Sequence, residues 1–524
     1  MANYNKILSA IPESEKTETV VLLLEIIASL QKDVQELKDE IARLKNKPPR
    51  PKLRPSKIGV NDLKRSNKKR SNRRNNKRIT CDIEIQKTIK LKPENLPKGS
   101  ILLEYRDYTV QDIIIQPNNI KYRRGIWRLP DGTIVRSPLP EHIDGHYGAE
   151  LKRFILYQYY SLHVTRPSIL EYLLDLGFKI SVGEIDKILT QDKKMFHEEK
   201  DEILNIGLRI SKQINVDDTG LRHKGKNGYC THIGNEFFAW YKSTYTKSRV
   251  NFLELLCGRY QDYHLNEYSY RYIKEQGFPY PKILLLERSI GKSFSNKEEW
   301  EQYLKFLGIK KENHVKIATE AALLGSLIFH GVPEDLVIVS DEAGQFNIFI
   351  HTLCWLHAER KINSLLPQSD EHNKIMSDIL DKLWLFYKKL KDFKSNPNVN
   401  HKPELETAFD TLFNTKTSWQ AMNKALELNL KNKQRLLRVL ERPEIPLHNN
   451  LSENDIREAA KKRKISAGTR GDLGRQCRDT FLSLKKTCRK LNISFWHYLY
   501  DRIAQENKIP AINQIILEKA AQPP

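Results

Sequence analysis

The sequence predicts a multidomain α/β protein, and three observations predict it. At 524 residues the chain is too long for one core and suggests about three or four domains. Hydrophobic content of 39%, with 22 Tyr, 18 Phe and 7 Trp, is ample for globular folding. From residue 206 onward, short apolar strand-like runs alternate with helical periodicity, whereas the segments before it are each of one kind.

The first segment, 1–47, reads as a coiled coil. Val20, Leu23, Ile27, Leu30, Val34, Leu37, Ile41 and Leu44 are spaced 3-4-3-4-3-4-3, with Val or Ile at every a position and Leu at every d position. β-Branched a residues with Leu at d favour a parallel dimer, so Ile27, Leu30, Val34, Leu37, Ile41 and Leu44 are expected to form a homodimer seam, within a dimer or a higher oligomer. The apolar run VVLLLEIIASL is short, is interrupted by Glu25 and lacks a basic leader, so neither a signal peptide nor a membrane span is expected. Residues 48–80 read as a disordered basic linker. The stretch Arg43–Arg78 holds sixteen Lys/Arg and one acid, so of the net charge of +23 it carries +15 and the rest of the chain +8. Such a block, with Lys68, Lys69, Arg70, Arg73 and Arg74 at its centre, suits a polyanion such as DNA.

Residues 81–145 read as a small β-rich module. CDIEIQ, ILLEYRDYTVQDIIIQ and GTIVRSPLP are the expected strands, with turns at Pro117-Asn118 and Asp131-Gly132. Residues 146–205 turn helical: Gly148–His163, Ser168–Leu176 and Ser181–Leu189, the last capped by Ser181 with Glu184 at the capping-box position. The second and third have the length and central Gly of a helix-turn-helix. An ordinary helical hairpin is the alternative, because the last helix carries only Lys187 as a cation.

Residues 206–505 carry the α/β pattern. RISKQINVD, YCTHIG and FFAWYKST read as a strand meander followed by a helix over Lys247–Leu256. Helical insertions are expected at about 258–335 and 360–445. LVIVSD (336–341) is an unbroken apolar strand suited to a sheet centre, and Ile348–Leu366 is expected to be a helix. Helices follow at Asn450–Lys461 and Thr480–Lys490, then SFWHYLYDRIA, with 506–524 as a tail.

Three acids stand at the ends of these elements. Asp217 and Asp218 close the first strand, Asp341 closes LVIVSD, and Glu453 lies in the first turn of the helix opening NNLSEND. Strand–strand–strand–helix, then a strand ending in Asp, then a late helix bearing an acid, is the order of an RNase-H-like fold. Three carboxylates so gathered can hold two Mg²⁺ ions for phosphodiester chemistry. Successive strand residues point to opposite faces, so only one of Asp217 and Asp218 can turn inward.

VDDTGLRHKGKNGY, VIVSDEAGQF with TLCWLHAERKI, and NNLSENDIREAAKKRKISAGTRGDLG resemble the three blocks of DDE transposases of the insertion-sequence-66 type. The resemblance covers about 209–505. It implies Asp217, Asp341 and Glu453 as catalytic, metal-binding residues, with Mg²⁺ as the ion and Mn²⁺ able to substitute. It also implies hydrolysis that nicks a transposon end, then transfer of the freed 3′-OH to target DNA. Where this chain has Asp218 the family commonly has Glu. The family often carries a cysteine zinc ribbon near the β-rich module; here only Cys81 is available, so no zinc is expected.

Cys354-x-x-His357 has the spacing of half a zinc site without a second half, and a structural role near the acids is expected. Arg457, one turn after Glu453, is expected to share its face. Lys461, Lys462, Arg463, Lys464, Arg470 and Arg475, around Gly468, Gly471 and Gly474, read as a DNA-holding loop. Six scattered Cys without a C-x-x-C fit reduced thiols. The expected setting is therefore cytoplasmic, at the nucleoid. Two other functions stay open at this point: an RNase-H-like nuclease or resolvase that cuts without joining, and a non-catalytic DNA-binding relic or repressor.

Overall fold

The computed structural model describes residues 84–522, apart from Leu96, Glu141, His142 and Asp144. The dimer-seam positions Ile27 to Leu44, the basic residues Lys68 to Arg74 and Cys81 lie outside the described residues.

Residues 84–140 hold one hairpin, β1 (Ile126–Arg128) paired with β2 (Ile134–Arg136) across the expected Asp131-Gly132 turn. The strands expected at CDIEIQ and ILLEYRDYTVQDIIIQ do not form over the described residues. Leu103 and Ile114 are 93% and 82% exposed, and a strand without a partner or a covering layer does not form on propensity alone.

The helical segment follows expectation more closely. Helix α1 (Ala149–Leu156) runs into a π-helical turn at Tyr157–Ser161, where one helix to His163 was expected. Helices α2 (Arg166–Asp175) and α3 (Val182–Thr190) form the hairpin, with Ser181 accepting from the Glu184 backbone at the start of α3. The one cation of α3, Lys187, is paired with Glu184 at 2.6 Å. Helix α4 (Lys194–Ile210) leads into the sheet and takes in Arg209 and Ile210, which were expected to begin the first strand.

The sheet contains β3 (Gln213–His223), β4 (Lys226–Gly234), β5 (Ala239–Thr244), β8 (Val337–Ser340) and β9 (Ile350–Leu353), in the order β5-β4-β3-β8-β9. The pairs β3–β4 and β4–β5 are antiparallel, whereas β3–β8 and β8–β9 are parallel. Strand β8 is buried at every residue, as its unbroken apolar run requires. Strand β9 corrects the helix expected from Ile348: that helix, α10, spans only Trp355–Asn363. The run Ile350–Leu353 reads locally as helix or strand, and the free edge of β8 decides it.

Between β5 and β8 come α5 (Arg249–Cys257), a two-stranded ribbon of β6 (Tyr263–His264) and β7 (Ser293–Phe294), and helices α6 (Glu267–Glu275), α7 (Tyr280–Glu287), α8 (Lys297–Phe306) and α9 (Glu312–Phe329). After α10, helices α11 (Asp370–Ser395), α12 (Lys402–Phe413), α13 (Gln420–Lys431) and α14 (Lys433–Leu436) bury their own core around Trp355, Phe386, Phe409 and Leu426. Then come α15 (Asn450–Ser466), α16 (Asp472–Lys490) and α17 (Phe495–Ile503).

Helix α16 covers the open edge of the sheet. The backbone N–H groups of Ala239, Tyr241 and Ser243, every second residue of β5, donate to Thr487, Ser483 and Asp479, every fourth residue of the helix. A helical rise over four residues of roughly 6 Å nearly matches two residues of strand, so the ladder stays in step. An edge capped this way is closed to further strand pairing.

The expected tail holds a last helix, α18 (Ile512–Ala521), whose Ile512 and Ile516 are fully buried in the main core. No helix among the described residues is long and apolar enough to cross a membrane. If α18 is part of the core, Ile512→Ala should cost about 2–4 kcal/mol in urea unfolding. A loss under about 0.5 kcal/mol, the size of a surface substitution, would return 506–524 to the status of a tail.

Candidate active site

The pairing register sets two of the acids side by side. Asn215 is level with Val339 in the parallel β3–β8 pair, so Asp217 and Asp341 each lie two residues further along the same direction. The faces of Asp217 and Asp218 then separate them. Asp218 is tied down: Oδ1 accepts from Thr231 and Oδ2 from Gln345 Nε2 at 2.9 Å. Burial raises its pKa, against those two hydrogen bonds and Lys247. Asp217 accepts only from the backbone N–H of Asp218, at 2.8 Å. Burial and then the Asp341 charge push Asp217 up to about 7, with Glu453 adding to the effect. Asp341 Oδ1 accepts from the Ala343 N–H at 3.0 Å, a turn that holds the carboxylate at the strand end.

Glu453 reaches the same place from α15. The start of that helix is anchored by Asn449. Asn449 Nδ2 donates to the Val216 carbonyl at 2.7 Å and its Oδ1 accepts from Asn215 at 2.8 Å. Its own N–H donates to Cys354 Sγ at 3.2 Å. Further along α15, buried Asp455 lies 2.8 Å from Lys490 of α16 and 3.3 Å from His232 of β4. Although burial pushes it up, His232 and Lys490 hold Asp455 well below the usual carboxylate range.

Glu453 is gripped by Arg360, whose Nη1 and Nη2 donate to its two oxygens at 3.2 and 3.0 Å. The sequence reading missed Arg360; its signal is the i, i+3 series Cys354, His357, Arg360 on α10. Arg457, expected on the face of Glu453, is exposed and donates instead to Asn454 at 3.0 Å, while Glu453 is only 9% exposed. The difference is one of helix phase, since α15 buries Ser452, Glu453, Ile456 and Ala459 and turns 457 outward.

Cys354 lies under the site as an acceptor for Asn449, its thiol pushed up to about 11 by burial. His357 Nδ1 is 3.9 Å from Glu453 and has no hydrogen-bond partner. Together Cys354, His357 and Glu453 offer ligand atoms within 4.8 Å of one another. Hard oxygen donors dominate the wider cluster, a set that fits Mg²⁺ or Mn²⁺.

Among the basic residues, Lys461, Lys464 and Arg470 are exposed, and Arg475 pairs with Asp472 at 3.3 Å. Lys462 is buried and Arg463 donates to the Gly220 carbonyl. The loop after α15 is strapped to the end of β3: Thr469 N–H donates to Arg222 at 3.1 Å, and Lys224 N–H to Thr469 at 2.8 Å. A Cβ on Gly468 would meet the Arg222 carbonyl at 2.4 Å, so the close approach this glycine permits is to the chain's own strand. Space is open at Gly471 and Gly474.

A mixed sheet that carries half-buried acids at the ends of two neighbouring strands, with a buried acid on a late helix and basic residues further along it, defines an α/β protein with an acidic candidate site. The family comparison is more specific. Residues 328–476 match the model of the transposase IS66 family, a stretch containing Asp341, His357, Arg360 and Glu453. An uncharacterized protein, y4jO, of Sinorhizobium fredii (strain NBRC 101917 / NGR234) is 39% identical over 321 residues, 61% of this chain and the whole of that protein. The chain belongs to the transposase IS66 family.

The Asp217 environment has a measurable consequence. A carboxyl with a raised folded-state pKa binds its proton more tightly folded than unfolded, so between about pH 4 and 7 the metal-free protein should lose stability as pH rises. Urea unfolding in chelator should show this loss, on the order of 1–4 kcal/mol. Asp217→Asn should flatten it, and an unchanged slope in that variant would place the titrating group elsewhere.

Proposed function

We propose that this chain is a DDE-type DNA transposase with an RNase-H-like core over 206–505, acting on transposon ends and target DNA as a homodimer or higher oligomer. In this reading 1–47 dimerises, 48–80 holds DNA, 81–145 and 146–205 are accessory modules, and 258–335 and 360–445 are insertions. The observation that carries it is the parallel β3–β8 register, which levels Asp217 with Asp341 beneath the Glu453 turn of α15. The strand order β5-β4-β3-β8-β9, with only β4 running against its neighbours, supports the RNase-H-like assignment.

Asp217, Asp341 and Glu453 would hold two Mg²⁺ ions, with Mn²⁺ able to substitute. The chemistry such ions supply is Lewis-acid stabilisation of charge on the scissile phosphate. The protein's own residues do the rest. Thr231 and Gln345 keep Asp218 turned away, leaving Asp217 as the inward carboxylate. Asn449 fixes the height of Glu453 above the sheet, and Arg360 orients its carboxylate. Partial burial of all these groups lowers the local dielectric and strengthens each interaction with a phosphodiester.

Incubating the purified protein with labelled DNA bearing the element's ends and Mg²⁺ tests the reading. Wild type should cleave, and Asp217→Asn and Asp341→Ala should each lose at least about 10³-fold in rate, the scale of removing one electrostatic catalytic group. Asp218→Asn should retain measurable cleavage; the reverse order for 217 and 218 would invert the face assignment. No cleavage by wild type would leave a DNA-binding relic, and cleavage without joining to a target plasmid would make the protein a nuclease.

A further inference from the structure

A second polar site lies at the other end of α15. The π-helical turn after α1, the last turns of α15 and the flank of α16 enclose a cavity of about 580 Å³, counting its open mouth. Tyr159, His163, Lys462, Arg463, Ser466 and Arg478 are among its walls, and no Asp or Glu lines it. Arg478 is neutralised by Asp479 at 3.2 Å. Lys462 is not neutralised in this way. It is 7% exposed, its ammonium sits 3.7 Å above the Tyr159 ring, and its hydrogen bond goes to the Tyr159 carbonyl at 3.2 Å. Arg463 contacts the Gly220 carbonyl. Two wall atoms are idle as well: His163 Nδ1, on a side chain 6% exposed, and Ser466 Oγ are both buried without a hydrogen-bond partner. His163 is held in place through Nε2, 2.8 Å from Glu458, on a backbone with φ of 64°.

A buried ammonium without a carboxylate and two unpartnered polar atoms around one cavity are each costly in a dry protein. Burial, with Arg478 and Lys485 nearby, pulls Lys462 down to about 8, the direction expected of a cation lacking its counter-charge. A tetrahedral oxyanion would meet the donors that remain: the ammonium of Lys462 beyond its bond to Tyr159, the guanidinium of Arg463 and the hydroxyl of Ser466. Lys462 is nine residues along α15 from Glu453, roughly 14 Å at the helical rise and about half a turn round the helix, so the cavity is separate from the acidic site.

We infer that this cavity is a seat for a single phosphate group of DNA, held by Lys462, Arg463 and Ser466 at a distance from the acidic site. The inference rests on the reading of the chain as a DNA-handling enzyme and adds to it the place where one backbone phosphate leaves the surface and is enclosed.

Ser466→Ala is the informative variant, because its side chain is not a surface cation and has no partner to lose in the free protein. In fluorescence anisotropy with a labelled single-stranded oligonucleotide, Ser466→Ala and Lys462→Gln should each weaken binding about 3–10-fold, and Lys462→Gln should also lower the salt slope by about 1. Lys461→Gln, on the exposed side of the same turn, should show only a loss that high salt erases. Melting curves report whether each variant is folded. If Ser466→Ala and folded Lys462→Gln bind like wild type while Lys461→Gln weakens, the strand passes over the surface and the seat is refuted. Binding of dAMP that depends on Ser466, with oligonucleotide binding indifferent to it, would overturn the assignment to DNA in favour of a free nucleotide. Failure of the wild type to bind DNA at all would overturn the enzyme reading itself.

Discussion

The candidate site depends on Asn449. This fully buried side chain pairs with Asn215 and Val216 of β3, and its N–H takes the Cys354 sulfur at the start of α10. Trp355 N–H, one residue on, donates to the Leu447 carbonyl at 2.9 Å, so both chains entering the junction are locked together. Three elements far apart in sequence thus share one amide. Without it, a buried backbone carbonyl and a buried Asn would lose their partners at the turn that carries Glu453. The large helical insertion packs as its own core, which lets it grow between β9 and α15 without disturbing that junction.

Helix α15 is consequently tethered at both ends and along its middle. Asn449 holds the start, Asp455 ties one turn to His232 and Lys490, and Glu458 binds Lys485 and His163 in the next. At the far end the loop through Thr469 is stitched to Arg222 and Lys224 of the β3–β4 hairpin. Buried ion pairs of this kind add little net stability, but each fails expensively if one partner is lost, so they fix position. Position is what the helix supplies: one acid over the sheet at its first turn, and one unneutralised lysine in a cavity at its last.

How much of this was legible in the sequence follows from which signals were local. Asp217, Asp341 and Glu453 stand at ends of strongly patterned elements, which drew attention to them, while the choice of Asp217 over Asp218 came from the family resemblance. Strand β9 was not legible, because Ile350–Leu353 has no local preference that outweighs the pull of the β8 edge. The β-rich expectation for 84–140 failed for the opposite reason: β propensity was present, but the described fold offers no neighbour to pair with. Arg457 was expected beside Glu453 because it is one turn away in sequence, and Arg360 gave no such local signal. The true neighbour comes from another helix, 93 residues away, and only the junction at Asn449 brings it there.

The charge balance of the site then has a direct reading. Asp217, Asp341 and Glu453 approach one another with Arg360 as the guanidinium in contact with Glu453, and Asp217 meets the shortfall by holding its proton up to about pH 7. If Asp217, Asp341 and Glu453 hold a divalent cation as proposed, that cation would expel the Asp217 proton and would compete with Arg360 for the oxygens of Glu453. Arg360, with 39% of its side chain exposed, would then be available to meet an incoming phosphate in two places.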